Sequence, residues 1–266
     1  MMLKAIVFLF AATVLLGQTG FAQTAPPVQM GALAPANIAK ARPKPPFDLT
    51  GTWQHALSRE NPFRFTPPAG TDLKLTAAAQ VHYDAAKKAA AAGKAYHDDI
   101  GACWPAGMPI IMTRVWPIAM VQNQTSIFMI SGFMNSVRII YLDGRKHTDP
   151  DVVVRSFNGE SIGHWEGDAL VIDTRNFVDE HHWIDTGVPA SDELRIIERI
   201  KMAEVDKSGG KALDIEYTLT DAKTFSGEWK MTKRFKRMDD TDINEASCLP
   251  DLNEHMPSTK AGTNVR

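Results

Sequence analysis

From about Met112 onward the chain breaks into short runs rich in Val, Ile, Phe and Thr, separated by turn dipeptides. That rhythm dictates a mainly β fold. The expected strands are Ser126–Ser131, Val137–Leu142, Val152–Arg155, Ser161–Trp165, Ala169–Thr174, Leu194–Met202, Ala212–Thr220 and Glu228–Phe235. In Leu213-Asp214-Ile215-Glu216-Tyr217-Thr218-Leu219 apolar and polar residues alternate with a period of two, so one face is apolar and the other wet. Asp143-Gly144, Asn158-Gly159, Glu166-Gly167-Asp168, Ser208-Gly209-Gly210 and Ser226-Gly227 supply the reversals between runs. Many strands joined by short turns pair with their neighbours and close into an antiparallel barrel or pack as a sandwich. The expectation is an antiparallel, lipocalin-like barrel of about eight strands with a helical N-terminal segment packed on it.

The first part of the chain reads differently. Thr76 is a suitable N-cap for an Ala-rich helix over 77–92, which Gly93 stops. Further upstream, Lys4, the apolar run Ala5–Leu16 and the small residues Gly20 and Ala22 follow the order of a cleavable signal peptide over residues 1–22. Residues 23–46 are rich in Pro and Ala and read as an extended tether. A single β-barrel domain is expected over 47–250 and a polar tail over 251–266. No run after the signal is long and apolar enough to span a bilayer. The expected address is periplasmic or secreted. In an oxidising compartment the even pair Cys103 and Cys248 favours a disulfide.

Composition narrows the partners. The formal net charge is −2, with no basic stripe and no zinc-finger or RNP pattern, so nucleic acid is a poor partner. Gly-x-Ser-x-Gly, P-loop, dinucleotide and haem motifs are absent, which disfavours elbow hydrolases, kinases and nicotinamide enzymes. No His-x-His or HExxH spacing exists, and neighbouring His181 and His182 would point apart on a strand. Neither a cofactor nor a metal is expected. A small hydrophobic or aromatic molecule is the expected partner, with oligomerisation left open.

The ordered domain opens on Leu49-Thr50-Gly51-Thr52-Trp53, and Gly-x-Trp resembles the opening of lipocalin-like barrels, in which the Trp plugs one end. Further features are Cys103 with Gly107 and Pro109, Arg138, Asp143-Gly144-Arg145, and the long stretch Gly159-Glu160-Ser161-Ile162-Gly163-His164-Trp165-Glu166-Gly167-Asp168 through Asp173-Thr174. Phe177, Trp183-Ile184-Asp185, Ser191, Leu194 and Glu198-Arg199 continue the pattern. Together they resemble an uncharacterised family of exported bacterial proteins over roughly residues 47–250. The resemblance implies common descent and supplies no mechanism. Many members read Pro-His-Ser where this chain has Pro189-Ala190-Ser191, and lack the paired histidines of Glu180-His181-His182.

Asp179-Glu180-His181-His182-Trp183-Ile184-Asp185 is the richest polar cluster, in an expected loop. His181 or His182 is the candidate base, with Asp179 or Asp185 to orient it and Trp183 to stack on substrate. Arg138 and Tyr141, three residues apart, are candidates to stabilise developing negative charge. His164, Glu198 and Arg199 are candidates to face a cavity, with Trp116 and Phe128 among the Met and aromatic residues that would line it. The Ser161–Asp173 stretch itself reads as a hairpin tipped by Glu166-Gly167-Asp168. Two functions fit. One is a cofactor-free lyase, isomerase or hydratase using acid–base chemistry, favoured by the polar residues within strands. The other is a non-catalytic carrier of a small hydrophobic ligand.

Overall fold

The computed structural model describes residues 29–58, 61, 74–94, 96, 99–204 and 210–248. The signal-peptide reading and the polar tail lie outside the described residues. Nine strands form a closed barrel: β1 (Gly51–His55), β3 (Ile118–Gln122), β4 (Ser126–Ser131), β5 (Ser136–Tyr141), β6 (Glu160–Glu166), β7 (Ala169–Arg175), β10 (Arg195–Glu204), β11 (Lys211–Thr220) and β13 (Trp229–Met238). Around the wall the order is β1-β13-β11-β10-β7-β6-β5-β4-β3, and β3 returns to β1. Two ribbons complete the β structure: β2 (Lys74–Leu75) with β12 (Phe225–Ser226), and β8 (Trp183–Asp185) with β9 (Val188–Pro189). The helices are α1 (Pro35–Ile38), α2 (Ala77–Ala91) and a 3-10 turn at Ile110–Thr113.

The wall follows from the period-two pattern. On β11 Leu213, Ile215, Tyr217 and Leu219 are buried, and on β13 Trp229, Lys233 and Phe235 are. Trp53 is fully buried, and its indole N–H donates to Leu49 O at 2.8 Å, which satisfies the one polar atom that a buried Trp carries. Gly167, at φ +60, turns the chain between β6 and β7 in the left-handed region, so the Ser161–Asp173 stretch is the hairpin its turn residues imply. Thr76 caps α2 by accepting from Ala79 N–H at 3.3 Å. The helix lays Ala79 and Ala86 inward, and it approaches β9 so closely that a Cβ on Gly187 would sit 2.5 Å from Ala86 Cβ.

Three expectations need correction. The barrel is mixed, not purely antiparallel: β5 and β6 run parallel, with only Ile140↔Ser161 and Tyr141↔Ile162 in register. The segment 142–159 is long enough to return across the barrel, so β6 enters from the same end as β5. Val152–Arg155 is not a strand; it follows Pro150 without a pairing partner, and Val152 and Val154 are 74% and 92% exposed. Residues 29–46 do not form a free tether. Thr125 Oγ1 donates to Ala32 O at 2.7 Å, and buried Asn37 donates to Asp143 Oδ2 at 2.9 Å and Gly31 O at 3.1 Å. The Cys103–Cys248 disulfide is formed, tying the segment after β13 to the segment before β3.

Candidate functional site

One end of the barrel, where β4 ends and β5, β10 and β13 begin, is covered by the 3-10 turn, the β8–β9 ribbon and the loop 176–193. Most of the expected catalytic residues lie in this cover, and the structure separates them. His182 points inward. It is 2% exposed, lies against the Phe157 and Phe177 rings, and stands 2.7 Å from Met108 O. Because a carbonyl only accepts, Nε2 carries the proton. Burial lowers its pKa to about 4, against the opposing hydrogen bonds to the Met108 and Val178 backbone. A base must be reached by its substrate, so His182 holds Met108 rather than working at a surface.

His181, the next residue, points outward and stacks on Trp104 at 3.9 Å between centroids, with the rings only 10° from parallel. Its Nδ1 lies 3.2 Å from Asp99 Oδ1, while Asp99 Oδ2 accepts from Trp183 Nε1 at 3.0 Å. Asp99, and not Asp179 or Asp185, is therefore the carboxylate that meets the His181 ring. Its position depends on two segments distant in sequence, and no spacing in the chain signals it. His181 adopts φ +59, a region that a residue with a Cβ enters at a cost, and such backbones gather at functional sites. Trp183 is buried, with His82 and Tyr96 edge-on to its ring, so it packs rather than stacks on a ligand. Asp179 is exposed on the loop; the Lys223 ammonium is raised chiefly by its hydrogen bond to Asp192, with Asp179 adding a smaller charge effect.

Asp185 and Trp116 belong to a second feature of the same end. A cleft of about 350 Å³ is lined by Ile110, Thr113, Arg114, Trp116, Phe133 and Asp185. Asp185 Oδ1 accepts from Thr186 N–H at 2.7 Å, and the Arg114 guanidinium lies 5.1 Å above the Phe133 ring. Behind it, within the barrel, Lys233 is 2% exposed. Burial lowers its pKa to about 8, with the Asp185 charge acting the other way. Burial, and then Lys233, lower His55 to about 4. Both residues sit on inward positions beside Trp53 and Phe235, so a polar residue on an apolar face was the signal in the sequence.

The remaining candidates lie elsewhere. Arg138 and Glu198 meet inside the barrel as a buried ion pair, with Nη1 to Oε1 at 3.1 Å and a second contact from Nη2 to Oε2. Arg138 Nε donates to Ser161 Oγ and Nη2 to Thr174 Oγ1, both at 2.9 Å. Burial and Glu198 push the neighbouring Tyr217 phenol well above its usual value. Tyr141 is not beside Arg138: an odd spacing on a strand turns it to the outer face, where the Arg145 guanidinium covers its ring at 3.8 Å. His164 and Arg199 are also outside, both bonded to Glu166 at 2.8 Å, and Phe128 lies on the outer face of β4. Among the described residues, no group of three or more His, Cys, Asp or Glu side chains is arranged to hold a metal.

The buried neutral histidines set a pH dependence. For His182 the folded pKa, about 4, lies below the unfolded value of 6.5, so between these limits the unfolded chain binds more protons. Stability is full above about pH 6.5 and falls as the pH drops to about 4, by roughly 3 kcal/mol for this residue. Urea titrations from pH 7 to pH 4 should show the decline, and His182→Gln should make it shallower, leaving the part due to His55. An unchanged slope in the variant would remove His182 from the account.

No protein-family model matches the chain, and no curated protein matches its sequence.

Proposed function

We propose that this is an exported, cofactor-independent enzyme of lyase, isomerase or hydratase type, acting on a small apolar or aromatic molecule by acid–base chemistry. The observation that carries this reading is the Asp99–His181–Trp104 arrangement. The carboxylate takes the Nδ1–H hydrogen bond, which leaves the Nε2 lone pair to accept a substrate proton. Trp104, 41% exposed, extends the histidine ring into an apolar platform on which a flat substrate would rest. A lipocalin-like barrel serves here as a rigid frame, with the working groups on the loops of its covered end. The periplasmic or secreted address is supported by the Cys103–Cys248 disulfide, a bond that persists in oxidising compartments.

The test is turnover of a panel of aromatic and isoprenoid compounds by the purified full chain, followed by mass spectrometry. His181→Ala should lower turnover by about 10²–10⁴-fold, the usual worth of a positioned base. Asp99→Asn should lower it less and shift its pH profile, because the ring loses its charged partner. Turnover indifferent to His181→Ala would sink this assignment. The Trp116 cleft favours a second reading, a non-catalytic carrier. Thermal shifts across the panel that vanish in Trp116→Ala, without any turnover, would establish it instead.

A further inference from the structure

The far end of the barrel carries a surface unlike the rest of the molecule. Residues 29–46 cross it as a strap pinned by Asn37 and Ala32. The strap buries little of its own apolar content: Leu33 is 55% exposed, Ile38 40% and Met30 39%. Scattered apolar residues are common on protein surfaces, but these three fall within nine residues, on a segment anchored at both Ala32 and Asn37.

The strap's own charges have one sign. Lys40 and Lys44 are exposed on the strap. Arg42 Nη1 donates to Asn37 O at 2.7 Å. Arg145 Nη2 reaches Met30 O at 3.3 Å, and Lys146 beside it is exposed. Against these five cations stand Asp48 and Asp143, the Asp143 carboxylate paired with Arg145 at 2.6 Å, while Glu166, Asp168 and Asp239 at the same end are paired with Arg199, Lys201 and Arg237. The chain as a whole carries −2, whereas the strap over 29–46 carries Lys40, Arg42 and Lys44 and no carboxylate. Such asymmetry orients a molecule toward an anionic surface.

We propose that the strap docks this end of the barrel on an anionic lipid surface, with Met30, Leu33 and Ile38 entering the interface and Lys40, Lys44, Arg42 and Lys146 facing lipid phosphates. Basic side chains flanking exposed aliphatic ones are the composition of interfacial segments, in which the apolar groups supply depth and the cations supply selectivity for charge. Docking by the strap leaves the opposite end, with His181 and the Trp116 cleft, turned away from the membrane. The inference does not rest on the proposed activity.

The test is co-sedimentation of the full chain with vesicles of 70% phosphatidylcholine and 30% phosphatidylglycerol, against pure phosphatidylcholine. Variants are compared in the same chain, so any binding by the apolar run at Ala5–Leu16 is common to all. Lys40→Glu with Lys44→Glu should weaken binding to the anionic vesicles by about tenfold or more, because each cation near such a surface contributes severalfold. Leu33→Asp, an exposed position with no role in the barrel, should weaken it by a similar factor, and 0.5 M salt should weaken the wild-type chain alone. Equal binding to both vesicle types overturns the proposal, as does binding that these variants leave unchanged. Circular dichroism identical to wild type in each variant keeps a loss of binding from being read as a loss of fold.

Discussion

Replacing Arg138 by Met should lower the free energy of unfolding by about 3–5 kcal/mol, the cost of leaving a buried charge without its partner. Glu198 is 1% exposed, and in the wild-type protein Arg138 gives it two contacts while also donating to Ser161 and Thr174. Those contacts tie β5 to β6, β7 and β10. They cross the parallel junction, where only two residue pairs hold β5 to β6. The network therefore closes the barrel at its weakest seam. Removing both charges, as Arg138→Met with Glu198→Leu, should restore most of the loss, because an apolar pair of similar volume is often no worse than a buried ion pair. Urea denaturation of the three proteins decides the matter. A double variant as unstable as Arg138→Met would show that the seam needs the hydrogen bonds to Ser161 and Thr174 and not only charge balance.

The second large effect belongs to the disulfide. Cys103 and Cys248 are 145 residues apart, and closing a loop of that length restricts the unfolded chain by about 5 kcal/mol in the entropy model, an upper value. Cys103→Ser with Cys248→Ser should therefore lower stability by about 3–5 kcal/mol, and reduction of the wild-type protein should do the same. The loss has a structural side too. The residues before Cys248 lie along the barrel rim, where Met134 N–H donates to Ala246 O at 2.9 Å and Asn135 Nδ2 reaches Ser247 Oγ at 3.0 Å. Without the bond this segment depends on those and the other rim contacts, among them Ala246 N–H to Asn135 Oδ1 at 3.2 Å. Equal midpoints for oxidised and reduced protein would mean that the unfolded state is already compact.

These effects locate what the fold depends on, and they bear on the function. From the sequence, Arg138 is a candidate to stabilise developing negative charge and Glu198 a candidate to face a cavity. Arg138 makes four hydrogen bonds, two to Glu198 and one each to Ser161 and Thr174, which gives the pair a sufficient role in closure. The groups with room to meet a substrate lie in the cover, where His181 and Asp185 face outward and into the cleft.

Periodicity carried much of the fold. Seven of the eight expected strands are present within three residues of their expected limits, and Thr76 caps its helix. Short-range signals are sufficient there, because alternation and turn residues act within a few positions. β1 and β3 lack such a signal, since Gly51-Thr52-Trp53 and Ile118-Ala119-Met120 become strands mainly by pairing with each other and with β13 and β4. The parallel junction was not legible for the same reason. The direction in which β6 enters depends on the path of 142–159 over the barrel, and no local pattern encodes it.

The site divides in the same way. By itself the sequence determined that the loop at 179–185 is rich in groups able to move protons, that strand positions 138, 198 and 199 carry charge, and that two cysteines are available to pair. Only the tertiary structure decided that His182 is sealed against Met108 while His181 is open, and that Asp99 rather than Asp179 or Asp185 meets the histidine. It likewise turned Arg138 and Tyr141 to opposite faces of one strand. The physical reason is that residue type fixes what a side chain can do, while the partner that gives it a role arrives from another part of the chain.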